Sequence, residues 1–163
     1  MDKLWAPWRS KYITTILKKT SGCIFCRMLK EKKDKKNYIF IRREHSFAVL
    51  NLYPYNNGHV LILPFRHVND LSKLTKEERD DLFFLLDETK ILVEKVLTPH
   101  GFNIGINLGR AAGAGFPGHI HIHLVPRWEG DVNFMPVIAQ TKVISQSLKT
   151  LYERLVNARQ KRH

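Results

Sequence analysis

Acidic residues are scarce in this chain, with 15 Asp and Glu against 27 Lys and Arg for a formal charge of +12. A surface of that sign excludes polycationic partners and favours anions: nucleic acid, an anionic membrane surface or a polyphosphate substrate. Cysteine is scarcer still. Only Cys23 and Cys26 occur in 163 residues, which excludes a small disulfide-stapled scaffold. No apolar run approaches the roughly 20 residues needed to span a membrane. The first residues, MDKLWAPWRSKYI, lack the apolar stretch and small-residue cleavage site of a secretory signal. Nothing repeats, and no low-complexity linker divides the chain. These absences lead to the expectation of one cytoplasmic domain over 1–163, with no membrane partner.

What is present suits a soluble globular core: 44% apolar and 26% charged residues, in a chain long enough for one buried interior. Cys23 and Cys26 form a Cys-x-x-Cys pair, which in a reducing compartment suggests a metal or redox site. A thioredoxin-type role wants the pair between a strand and a helix, whereas its surroundings here are basic and polar. The basic runs Lys30-Glu31-Lys32-Lys33-Asp34-Lys35-Lys36, Arg42-Arg43 and Arg159-Gln160-Lys161-Arg162 read first as solvated surface. A nucleic-acid module more often interleaves aromatic residues with its basic groups, and these runs lack that pattern. Nucleic acid is therefore the lesser reading of the charge.

Residues 1–20 look like an extended arm carrying Trp5, Pro7, Trp8 and Tyr12. A short helix is expected over 23–32, then strands over 38–41, 46–51 and 59–63, bounded by turn-formers such as Pro54-Tyr55-Asn56-Asn57-Gly58. The clearest helix spans 76–97. Thr75 and Glu78 make a capping box, the leucines and valines from Leu82 to Val96 recur at helical spacing, and Pro99 and Gly101 stop it. Strands over 102–107 and 119–125 enclose a glycine-rich loop, and a last helix is expected over 145–156 in a C-terminal region, 141–163, that ends in a basic tail. This order predicts an α+β fold: an antiparallel sheet of about five strands with the helices on one face.

The sharpest pattern is Gly118-His119-Ile120-His121-Ile122-His123-Leu124-Val125. In an extended strand alternate side chains share a face, so the three histidines line one side and Ile120, Ile122 and Leu124 the other. A lone histidine is ordinarily a satisfied polar group. Three in strict alternation, backed by an apolar face, are hard to explain by packing. Two chemistries use such a face: a zinc site, or nucleophilic attack by a neutral imidazole on phosphorus. The preceding loop, Asn107 to Gly118, favours phosphate, because its glycines let backbone amides approach an anion closely.

GHIHIHLVPRW resembles the signature of the histidine triad (HIT) family, and NGHVLILP and LNLYP resemble two further segments of it. The arm LWAPWRSKYI, CIFC and PRWEGDVNFMPVI are similar to the branch of diadenosine polyphosphate phosphorylases and fragile-histidine-triad hydrolases. The resemblance implies a HIT-like α+β homodimer that cleaves dinucleoside polyphosphates at the α-phosphate without an organic cofactor. It implies His121 as the nucleophile, His119 and His123 as phosphate-side helpers, and His59 as a fourth active-site histidine. Asn51 would contact ribose, and Asn107 with Gly113, Ala114 and Gly115 would hold phosphate oxygens. Some relatives bind structural zinc through residues corresponding to Cys23, Cys26, His67 and His119. One departure stands out: Gly115 occupies a position where the hydrolase branch carries a polar residue, which leaves phosphorolysis open beside hydrolysis. A purine nucleoside phosphoramidase, and a nucleotide-sensing or nucleic-acid-binding module, are the alternative readings.

Overall fold

The computed structural model describes residues 22–131 and 144–161. The expected arm over 1–20, the stretch 132–143 and residues 162–163 lie outside the described residues. Helix α1 spans Ile24–Glu31 and the single-turn helix α2 spans Asp34–Asn37. Strands β1 (Ile39–Arg42), β2 (Ser46–Leu50) and β3 (Val60–Pro64) follow. Helix α3 (Lys76–Leu97), strands β4 (Gly101–Ile106) and β5 (Ile122–Arg127), and helix α4 (Leu148–Gln160) complete the order. The five strands form one antiparallel sheet in the order β1-β2-β3-β5-β4.

The two faces of the sheet bury different things. Ala48, Leu50, Val60, Ile62, Ile120, Ile122 and Leu124 form one core with Leu82, Leu85, Leu92 and Val93 of α3 and Leu151 and Leu155 of α4. On the opposite face Phe47, Val49, Leu61 and Leu63 pack with Phe25 and Met28 of α1. The helices therefore do not all lie on one face, as the strand order alone suggested: the two long ones do, and short α1 covers part of the other. Its Phe25 and Met28, three positions apart, give it the apolar stripe for that task.

Helix α3 starts where its capping box places it. Thr75 accepts from the Glu78 amide, Glu78 accepts from the Thr75 amide, and Thr98 closes the far end in the left-handed region. Arg66 grips Glu78 at 2.6 and 2.8 Å, tying the β3–α3 connection to the helix start. Helix α4 begins three residues later than the sequence suggested, because Ser147 is the cap, accepting from the Thr150 amide, and it runs on to Gln160. The histidine strand also begins late. Its ladder to β3 starts at Ile62 opposite Ile122, and the same register puts Pro64, which has no N–H, opposite Ile120. The Ile120 amide bonds Val68 O instead, at 2.7 Å. His119 and His121 thus sit on the lead-in to β5, still alternating with the apolar residues that enter the helix-side core.

Candidate active site

Four histidines from two adjacent strands meet on the face that the long helices leave uncovered. His59 precedes β3, while His119, His121 and His123 run into β5, and all four are buried, from 1% to 9% exposed. Gly58 gives His59 its place. It adopts φ +76°, which strains any residue with a side chain, and a Cβ there would also displace the Leu97 side chain, whose Cδ1 would lie 2.5 Å away.

Hydrogen bonds assign each ring a tautomer. His59 Nδ1 faces the backbone N–H of Tyr55 at 3.0 Å and Asn51 Nδ2 at 3.2 Å. Because a backbone amide can only donate, His59 Nδ1 is the acceptor and its proton resides on Nε2. That proton goes to His123 Nδ1 at 2.9 Å, which leaves the His123 proton on Nε2; Asn107 Nδ2 is placed 3.5 Å from it, and the Asn107 amide accepts that proton only when turned to present its oxygen. His121 is set differently. Its Nδ1–H donates to the carbonyl of His119 at 2.8 Å, so Nε2 carries a lone pair, and no hydrogen bond among the described residues engages it. The rings of His121 and His123 lie edge to face with centroids 4.8 Å apart. A ring nitrogen with a lone pair and a ring N–H therefore belong to adjacent imidazoles.

Burial lowers the pKa of His121, against the opposing pull of the His119 carbonyl, so its imidazole is neutral at pH 7. Phe25 contributes to that burial, 5.7 Å from His121 between ring centroids. His119 is pushed down to about 4, chiefly by burial and further by the neighbouring His67 and His121.

The His119 side chain belongs to another cluster. Its Nε2–H donates to Pro64 O at 2.9 Å, and Nδ1 faces Cys23 Sγ at 3.4 Å and Cys26 Sγ at 3.7 Å. His67 Nδ1 lies 3.4 Å from Cys26 Sγ. The four donor atoms of Cys23, Cys26, His67 and His119 all fall within 4.8 Å of one another. In a tetrahedral zinc site with ordinary Zn–S and Zn–N bonds, sulfur and nitrogen stand about 3.6 Å apart. The observed sulfur–nitrogen separations match that edge, and the donor set is one zinc takes. The Pro64 carbonyl supplies the outer hydrogen bond that aims a ligating imidazole. Burial and the adjacent Cys23 push the Cys26 thiol up, which is the cost a bound cation would remove. The three triad histidines do not converge on a shared ion: each already directs a ring nitrogen to a different acceptor or donor.

The remaining expected residues fall as follows. Asn51 points its Nδ2 at His59, and its Oδ1 accepts from the Tyr53 amide at 3.0 Å, so both ends of the group are engaged locally. Asn107 opens the glycine loop beside His123. Within the loop the amides of Gly113 and Ala114 bond the carbonyls of Arg110 and Gly109 at 3.0 and 3.3 Å. Near the end of the loop the Phe116 ring meets Phe25 at 5.3 Å, the same Phe25 that lies against His121. Tyr55 escaped the sequence reading: its amide fixes His59, and its ring lies tilted against His59 at 4.6 Å and stacks on His123 at 5.6 Å. The only signal was its place in the turn just before His59.

A family model described as the HIT domain matches residues 32–130. Over 155 residues the chain is 37% identical to "AP-4-A phosphorylase" of Mycobacterium tuberculosis strain ATCC 25618 / H37Rv, spanning 91% of this chain and 80% of that protein. It is 41% identical over 93 residues to "Bis(5'-nucleosyl)-tetraphosphatase [asymmetrical]" of Schizosaccharomyces pombe, 57% of this chain and 50% of that protein. In three dimensions it is similar to the crystal structure of a Zn-bound histidine triad family protein from Mycobacterium smegmatis. There the TM-score is 0.69 at 23% identity, over 86% of this chain and 94% of that chain.

Proposed function

The chain belongs to the HIT domain family, and on that footing we propose that it cleaves dinucleoside polyphosphates, diadenosine tetraphosphate among them, through a nucleotidyl group carried on His121. One observation carries the reading: the Nδ1–H of His121 is spent on the His119 carbonyl at 2.8 Å, which presents Nε2 as a neutral nucleophile. Nε2 attacks the α-phosphorus, an N–P bond forms, and the bond from that phosphorus to the bridging oxygen breaks. The departing nucleoside polyphosphate leaves as the oxyanion, steadied by a hydrogen bond from His123 Nε2–H, and His59 holds His123 in the tautomer that can donate it. In the second half, an oxygen of inorganic phosphate or of water attacks the phosphorus, the P–N bond breaks to restore neutral His121, and the proton of the attacking group passes to solvent.

Phosphate is the favoured acceptor. Gly115 offers no side chain to orient a water, and the relative matched over 91% of this chain is named a phosphorylase. Asn107 and the glycine loop flank the place the phosphates would occupy. Asn51, engaged with His59, acts in this reading on the histidine pair, and its Oδ1, which accepts one bond from the Tyr53 amide, has a second lone pair for a ribose hydroxyl. Zinc would be held by Cys23, Cys26, His67 and His119, where it supplies a structural clamp that keeps both thiols deprotonated. The clamp joins α1 to the residue whose carbonyl positions His121.

The test is product analysis. With diadenosine tetraphosphate and inorganic phosphate, ADP and ATP are expected, and omission of phosphate should slow turnover by at least about tenfold. AMP plus ATP at an unchanged rate without phosphate would show a hydrolase, and no cleavage of either kind would remove the substrate assignment.

A further inference from the structure

A cleft of about 630 Å³ opens at the other side of the sheet, between α2 and the first turns of α4. Lys33, Lys35, Lys36 and Lys149 rim it, and Tyr38 and Tyr152 form its wall. We propose that this cleft is a docking site for single-stranded nucleic acid, separate from the catalytic face.

Charge is the first argument. The acidic lining residue, Asp34, is neutralised by a bidentate bond from Arg42 at 2.7 and 2.8 Å. Lys36 pairs with Glu31 at 3.3 Å, while Lys33, Lys35 and Lys149 have no ion-pair partner among the described residues. Exposed lysines each hold a lone phosphate weakly. They become a useful grip for a chain of phosphates that engages several at once and releases its counterions. A polyanion is thus favoured over a single nucleotide.

The aromatic wall is the second. The half-buried rings of Tyr38 and Tyr152 meet edge to face, 5.9 Å apart, and their inner edges pack on the helix-side core. Such anchored rings lose little freedom when a base stacks on them, and only unpaired bases can reach them. In the sequence Tyr38 stands just beyond the lysine run and Tyr152 lies more than a hundred residues away. Folding supplies the alternation of lysine and aromatic side chains that the linear run lacks. The site cannot be an extension of the active site. β1 and β5 are three strand spacings apart, roughly 14 Å, and the catalytic histidines face the side away from α4.

The test is fluorescence anisotropy of a labelled oligo-U with the full chain across a salt series. Binding is expected at low salt, with a slope of log K against log salt near about −2 for three lysine contacts on a single strand. Changing Lys33, Lys35 and Lys149 together to Gln should weaken binding at least about tenfold and flatten the slope. A control triple at Lys73, Lys76 and Lys95, exposed on and just before α3, removes the same charge and should leave most of the binding. Tyr152→Leu, which keeps an apolar side chain on the core, should weaken binding by roughly 5- to 100-fold. Both triples should keep wild-type cleavage of diadenosine tetraphosphate, which reports an intact fold. No binding by wild type at low salt, or equal losses in the two triples, would overturn the site. Equal competition by inorganic polyphosphate, with Tyr152→Leu unaffected, would overturn the nucleic-acid assignment.

Discussion

At the scale of residues, the proposed chemistry rests on which ring nitrogen carries a proton. The Tyr55 amide and Asn51 hold His59 Nδ1, His59 holds His123, and the His119 carbonyl holds His121. Alternation in the sequence was enough to put the histidines on one face. It could not say what each nitrogen meets, because the partners are backbone groups and side chains from other strands. The case of His119 shows this best: its neighbours in sequence are catalytic candidates, while its ring turns to two cysteines more than ninety residues away. His59→Phe keeps the ring's bulk and removes the proton it gives to His123. We expect kcat to fall about 10- to 100-fold with KM little changed, and the melting temperature to drop by several degrees because the part-buried Tyr55 amide loses its acceptor. An unchanged kcat would mean that His123 needs no orientation.

Elements come next. The 22-residue helix α3 was legible from end to end because its cap, apolar stripe and stop signals are all local. The start of β5 was not, since it depends on where β3 runs out of amides, and α1 could not be assigned a face without the partner strands that bury Phe25. Helix α1 and its N-cap residue Cys23 carry two of the four sulfur and nitrogen donors of the cluster, so metal removal is an element-scale perturbation. Cys26→Ser, or exhaustive chelation of the wild type, should remove one zinc per chain by elemental analysis. It should also lower the melting temperature by roughly 10 °C or more, since a structural metal contributes several kcal/mol. Metal-free protein with an unaltered melting curve would show that the four donors serve no structural ion.

For the whole molecule, the basic excess is what a solvent-facing surface shows from a distance, and two carboxylates resist it. Arg66 holds Glu78 at about 2 and Arg127 holds Asp131 at about 2, both well below their ordinary 4.5 and 3.8. Their folded-state values are depressed, so the stability they give is complete above the ordinary values and drains away as pH falls toward 2. The melting temperature should be level from neutral pH down to about 5 and then fall between about 5 and 2, and Glu78→Gln should flatten part of that fall. A melting temperature constant to pH 2 would show these pairs to be energetically idle. No helix among the described residues is long and apolar enough to cross a membrane.

The proposed reaction turns on one bond, from His121 Nε2 to phosphorus. It is tested most directly by rapid quench of the protein with diadenosine tetraphosphate in the absence of phosphate, followed by intact-mass and peptide analysis. The prediction is one adenylyl group per chain, mapped to His121, chased off by inorganic phosphate and missing from a folded His121→Asn variant that still binds nucleotide. Full turnover with no modified protein, or undiminished turnover in that variant, would contradict it.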